Sequence, residues 1–293
     1  MIQLTKVEPR EVVPNEYLEF YLKITGQTLE QATGDEESWF NRDGGLSEHT
    51  ARDYAIQRWG FAVPTDQALV SIAAHSPIIE IGAGHGYWAY LLKERFGADV
   101  RAFDPHPVET GKNGYFNEKR IASTYKSNES LARLSEKESY LRHQYKQLDL
   151  PPFEPKSYVE VAQDESTSLV KHYPEAALFL CWPPYADSMA NDVLQQYTGN
   201  RLFYIGEGEG GCTADDDFHG RLQYEWTCIE RIRIPQWWGI HDELYHYVRG
   251  RNPKLEIPPK CDCDDWRKIP CVLCWDAGER TSGPWRRAKE KDG

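Results

Sequence analysis

Residue types capable of chemistry gather first in Ile78-Ile79-Glu80-Ile81-Gly82-Ala83-Gly84-His85-Gly86-Tyr87-Trp88, where an apolar run carrying one carboxylate opens into alternating glycines. The run reads as a buried strand, and Gly82, Gly84 and Gly86 let the backbone turn sharply and approach a ligand without interference from a Cβ. Asp104 closes the next apolar run, twenty-four residues after Glu80. In a nucleotide-binding βαβ unit a carboxylate at that place accepts hydrogen bonds from both ribose hydroxyls. Taken alone, the glycines also fit a tight turn with no ligand; the carboxylate at the matching spacing argues against that.

A second group lies at Leu178-Phe179-Leu180-Cys181-Trp182-Pro183-Pro184-Tyr185, an apolar strand that stops at a double proline. The bland alternative is a strand end punctuated by prolines. The next strand runs into Gly206-Glu207-Gly208-Glu209-Gly210-Gly211-Cys212, a glycine-dense loop with two carboxylates. Ligands in open α/β sheets bind at the C-terminal ends of strands, so Glu207 and Glu209 are expected beside Trp182 and Tyr185, with Glu207 orienting a substrate or acting as a base. A solvated loop leading into a helix capped by Asp215 remains open for Glu209. His219 and the pair His241-Asp242 are candidate proton carriers, although a lone histidine is more often structural.

A nicotinamide or flavin fingerprint wants a further glycine where Tyr87 stands. The Glu-x-Gly-x-Gly-x-Gly form followed by Tyr87-Trp88 resembles instead the first motif of class I S-adenosylmethionine-dependent methyltransferases. The resemblance implies that Glu80, Gly82, Ala83, Gly84, His85, Gly86, Tyr87, Trp88, Asp104 and Cys181 line the cofactor, with Asp104 on the ribose. Trp182-Pro183-Pro184-Tyr185 resembles the fourth motif of amino-methyltransferases, Asn/Asp-Pro-Pro-Tyr, in which the first side chain accepts a hydrogen bond from the target amine and the aromatic residue stacks on the substrate. Trp182 has an indole donor there and no side-chain oxygen, so the departure points away from adenine-N6 or cytosine-N4 and toward another nucleophile. With Trp59-Gly60-Phe61-Ala62-Val63-Pro64-Thr65, Gly86-Tyr87-Trp88 and Cys181-Trp182-Pro183-Pro184-Tyr185 through Gly211-Cys212-Thr213, residues 55 to 249 together resemble a methyltransferase-like family with a Cys-Trp-Pro-Pro-Tyr motif and no assigned substrate.

Near the C-terminus, Cys261-x-Cys263 and Cys271-x-x-Cys274 supply four thiols whose spacing suits a structural zinc site, with redox dithiols or four ordinary reduced cysteines as the competing readings. The segment from Arg249 onward carries a formal charge of +3 while the whole chain carries -12. That overall charge disfavours broad nonspecific nucleic-acid binding and leaves only a local basic patch for it. An odd total of seven cysteines argues for a reducing, cytoplasmic setting. No stretch approaches the roughly 20 apolar residues of a bilayer span, so no membrane partner is expected.

The elements that must position these residues follow from periodicity. Strands are expected at Ile78 to Gly82, Val100 to Asp104, Tyr158 to Ala162, Ala177 to Trp182 and Arg201 to Gly206, alternating with helices at Gly86 to Phe96, Met189 to Tyr197 and Asp215 to Trp226. Two closing strands, Cys228 to Ile234 and Glu243 to Arg249, suggest an antiparallel edge pair. The expected fold is an α/β Rossmann-like methyltransferase sheet with helices on both faces, that strand pair, and a small Cys-rich module. The expected division is a helical region over 1–76, the sheet domain over 77–249 with a polar insertion at about 110–147, and the module over 250–293. The reading is a methyltransferase acting on an unidentified acceptor, the alternative being a noncatalytic protein that kept the fold for binding or regulation.

Overall fold

The computed structural model describes residues 13–34, 46–116, 148, 150 and 156–250. A seven-stranded sheet runs in the order β3-β2-β1-β4-β5-β7-β6. Its strands are β1 (Ile78–Ile81), β2 (Val100–Asp104), β3 (Val161–Gln163), β4 (Ala177–Cys181), β5 (Arg201–Gly206), β6 (Trp226–Arg233) and β7 (Glu243–Arg249). The first five are parallel, and β7 enters antiparallel between β5 and β6. The strand order reverses at β1, which places a crevice between the C-terminal ends of β1 and β4, the general ligand position of open α/β sheets.

The central strands read as near-continuous apolar runs because both of their faces are covered. Ile78, Phe179, Phe203 and Ile205 face one core, shared with α3 (Leu46–Arg58), α4 (Asp66–Ala73), α5 (Tyr87–Phe96) and part of α1 (Glu16–Thr25). Ile79, Leu178, Leu180, Leu202 and Tyr204 face the other, under α6 (Met189–Gln196) and α7 (Asp216–Glu225). A short α2 (Leu29–Ala32) follows α1. This is the mixed α/β sheet with helices on both faces and a closing antiparallel pair expected from the sequence.

Helix starts follow local chemistry. Asn15, Thr65 and Asp215 each accept a backbone N–H three residues on, capping α1, α4 and α7. The strand expected at Tyr158 to Ala162 begins later, at Val161, and the reason is local. Tyr158 donates its N–H to His85 O at 2.8 Å and sets its ring edge-on to Tyr87, 4.8 Å between centroids. That packing pins the chain to the glycine loop before it can join the sheet. The insertion expected at about 110–147 is described only over its first residues, to Phe116, and the Cys-rich segment lies outside the described residues.

Candidate active site

The crevice is a cavity of about 500 Å³ lined by Glu80, the glycine loop, Asp104, Cys181 and the Trp182 to Tyr185 turn. That volume lies in the usual range for cofactor and small-ligand pockets, about 300–1,000 Å³. The residues singled out in the first and second motifs therefore meet in one place. Trp59, Gly60 and Phe61, delivered by the end of α3, complete one wall, and Asn113, Tyr115 and Phe116 complete another.

The glycine loop leaves β1 with Gly82, Gly84 and Gly86 at φ 73, 55 and 66, the left-handed region. Two of these positions are also closed to a side chain. A Cβ on Gly84 would come within 2.5 Å of the Phe116 ring, and one on Gly86 within 2.8 Å of a Val159 methyl. Gly84 donates its N–H to Asp104 Oδ2 at 2.9 Å, so the loop and the second-strand carboxylate form one unit. Asp104 Oδ1 accepts from His106 N at 2.8 Å and from Asn113 Nδ2 at 3.4 Å. A carboxylate offers about four lone-pair sites. Asp104 thus has room for one further donor on Oδ2, and any donor beyond that would displace the long Asn113 contact.

Glu80 is buried, with Oε2 lacking any hydrogen-bond partner among the described residues. Burial pushes its carboxyl up to about 8, against the Ala89 N–H that favours the charged form. His85 is neutral for the same reason: burial pulls its imidazole down to about 4, while Nδ1 lies 3.1 Å from Lys156 O. It braces the loop to the following strand connection by donating its Nδ1–H to that carbonyl, and it stays uncharged at neutral pH. Burial also raises the Cys181 thiol well above its ordinary range, so Cys181 contributes shape rather than a thiolate.

Trp182 sits at φ 53, an unusual conformation for a bulky residue and one that clusters at functional sites. Its N–H donates to Ile205 O at 2.8 Å, and Ala214 N donates to Pro183 O at 3.0 Å, tying the turn to β5 and to the loop that follows it. Tyr185 is 68% exposed at the crevice mouth.

Glu207 and Glu209 do not line the crevice. Both Glu207 oxygens are engaged, Oε2 by Cys212 N at 2.7 Å and Oε1 by His241 N at 2.8 Å. Burial works to raise its carboxyl, and the groups of Cys212 and His241 outweigh it, holding Glu207 below the usual range. In this geometry Glu207 anchors two loops rather than offering a basic lone pair to a substrate. His219 likewise serves its own loop, with Nε2 2.9 Å from Thr213 O.

The parts played by Asn113 and Phe61 emerge only from the structure, one through a local turn and the other through long-range packing. Asn113 gives Oδ1 to the N–H groups of Tyr115 and Phe116 and Nδ2 to His106 O, building the turn that sets Phe116 over Gly84. Phe61 stacks parallel on Trp182, 5.2 Å between centroids. No composition or period marks Asn113, and Phe61 stands out in the sequence only through the Trp59-Gly60-Phe61 stretch of the resemblance. Cys261, Cys263, Cys271 and Cys274 lie outside the described residues, and among the described residues no group of three or more His, Cys, Asp or Glu could hold a metal. No helix among the described residues is long and apolar enough to cross a membrane.

No protein-family model matches the chain, and no curated protein sequence matches it. Among solved structures, the chain is similar to magnesium protoporphyrin IX methyltransferase from Synechocystis PCC 6803 with bound SAM. The two share 9% identity at a TM-score of 0.35, over 82% of this chain and 100% of that one.

Proposed function

We propose that the protein binds S-adenosylmethionine in the crevice and transfers its methyl group to an acceptor held at the Trp182 to Tyr185 turn. The observation that carries this reading is the complementarity of the lining. Glu80 offers a buried carboxyl oxygen that has no hydrogen-bond partner among the described residues. Asp104 offers a carboxylate with one lone-pair site left, bonded to a loop whose Gly84 and Gly86 exclude a Cβ. An amino acid's ammonium and a ribose hydroxyl suit these two acceptors. When bound, the cofactor would supply a methyl group on a sulfonium, open to in-line attack by an acceptor's lone pair with the neutral thioether as leaving group.

This chain's residues then have to position and exclude water, which are the larger contributions to such a displacement. Glu80, Gly82, Ala83, Gly84, His85, Gly86, Tyr87, Trp88, Asp104 and Cys181 form the cofactor side, and Trp182, Pro183, Pro184 and Tyr185 form the acceptor side. Glu207 keeps the acceptor loop in place. No dedicated base is required for a nucleophile that is already neutral and unprotonated, or that loses its proton to solvent after transfer.

Asp104→Ala tests the assignment. A hydrogen bond to a charged group is worth about 1.5–3 kcal/mol, so affinity for S-adenosylhomocysteine in calorimetry is expected to fall by about ten- to a hundredfold. Unchanged affinity removes Asp104 from the site. For the four C-terminal cysteines we propose structural zinc on their spacing alone, with elemental analysis of the purified protein as its check.

A further inference from the structure

The first position of the double-proline turn is held from several sides. Phe61 stacks on the Trp182 indole, the Arg52 guanidinium stands over its ring 5.6 Å from the centroid, and indole Nε1 donates to Asp242 Oδ2 at 2.7 Å. Asp242 lies just ahead of β7, sixty residues further along the chain. It is 1% exposed, and its Oδ1 has no hydrogen-bond partner among the described residues. Residues in left-handed backbone conformations cost about 1–3 kcal/mol and persist only where their surroundings fix them. The Asp242 bond is the side-chain hydrogen bond in that fixation, beside the backbone bond from Trp182 N to Ile205 O.

The consequence for recognition is chemical. With its N–H donated to Asp242, the Trp182 indole has no further polar hydrogen to offer and no oxygen to accept with. Selection at the turn passes to aromatic faces. Tyr185 and Tyr115 line the crevice with 68% and 43% of their surface exposed, large rings left in water at its mouth.

We propose that Asp242 is a positioning residue for methyl transfer, holding Trp182 so that the crevice keeps a fixed aromatic wall, and that the acceptor is a planar aromatic group received by the Tyr115 and Tyr185 rings. This rests on the methyl-transfer reading above. Aromatic pairs add about 0.5–1.5 kcal/mol beyond their buried area, so a saturated ring of the same size binds less well. Burial pushes the Asp242 carboxyl up to about 7, with Arg52 opposing and Glu207 reinforcing the rise, and with the Trp182 N–H favouring the ionised form. Cys181 and Tyr17 also face it. The strength of the indole bond therefore changes near neutrality.

The test uses the full chain saturated with S-adenosylhomocysteine and titrated with β-naphthol or its fully saturated analogue, in wild type, Asp242→Ala, Asp242→Asn and Tyr185→Ala. Nitrogen-15 spectra follow the Trp182 indole N–H, assigned through Trp182→Phe. In wild type β-naphthol is expected to bind about tenfold more tightly than its saturated analogue, and the indole resonance to titrate near neutral pH. Asp242→Ala and Tyr185→Ala are each expected to weaken β-naphthol about tenfold, and only the former to move the indole resonance. Asp242→Asn, whose amide oxygen still accepts from the indole, should recover most of the affinity and lose the titration. Equal binding of the two alcohols by wild type overturns the proposal. So does an Asp242→Ala protein with unaltered β-naphthol affinity and an unaltered indole resonance. Failure of wild type to bind S-adenosylhomocysteine is a separate result that overturns the methyl-transfer reading; the resonance then decides the Trp182–Asp242 bond by itself.

Discussion

At the scale of single residues, burial of carboxyl groups sets the electrostatics of the crevice. Glu80 at about 8 is held protonated near neutrality by burial. The sign for stability follows: because the folded value lies above the ordinary 4.5, the unfolded chain binds fewer protons between those limits. Stability from this group is present below about pH 4.5 and is lost as pH rises through 8. An ammonium placed against Glu80 reverses the balance by favouring the carboxylate. Binding of S-adenosylhomocysteine should accordingly release a proton between about pH 5 and 8 and tighten as pH rises through that window. Calorimetry in buffers of different ionisation enthalpy reads the release, which Glu80→Gln should abolish. The same release in Glu80→Gln would place the ammonium elsewhere.

At the scale of elements, the β1 to α5 turn and the Asn113 to Phe116 turn form one interlocked device. Phe116 occupies the space that a Gly84 side chain would need, and the His85 ring lies 4.3 Å from it. Gly84→Ala must meet both a left-handed backbone and that ring, so it is expected to lower the melting temperature and to weaken S-adenosylhomocysteine by about tenfold or more. Phe116→Ala in the same chain removes the collision and leaves the backbone cost, so the double variant should recover part of the loss. If the second substitution recovers nothing, Phe116 is not what closes the glycine loop. The first half of this device was legible from sequence because Glu80, the glycines and Asp104 lie within one βαβ unit, where spacing fixes geometry. Its second half was not, since Asn113 and Phe116 act through a turn that no periodicity announces.

At the scale of the whole molecule, the sheet was readable because its central strands are apolar runs separated by helical periods, and the antiparallel pair because β6 and β7 follow one another closely. The cover over the crevice was harder to see. Tyr17 on α1 receives the Trp237 indole N–H at 3.0 Å, donates to Phe61 O at 3.2 Å, and stacks on Trp59 at 5.1 Å. These contacts join the chain's first described helix to the β6–β7 connection, 220 residues away. They deliver Trp59, Gly60 and Phe61 to the crevice. The Trp182–Asp242 bond depends on the same closure, which explains why Asp242 reads in sequence only as half of a His-Asp pair. Glu207, expected beside Trp182 and Tyr185 from strand order, lies outside the crevice lining, its two oxygens taken by the N–H groups of Cys212 and His241.

Every assignment on both sides of the crevice depends on the cofactor, so titration of the purified full chain with S-adenosylmethionine and S-adenosylhomocysteine tests the account most directly. Saturable one-to-one binding of both, at micromolar dissociation constants and weakened by Asp104→Ala, is the expected result. Absence of binding by either ligand, from a protein whose melting curve shows it folded, would contradict the account.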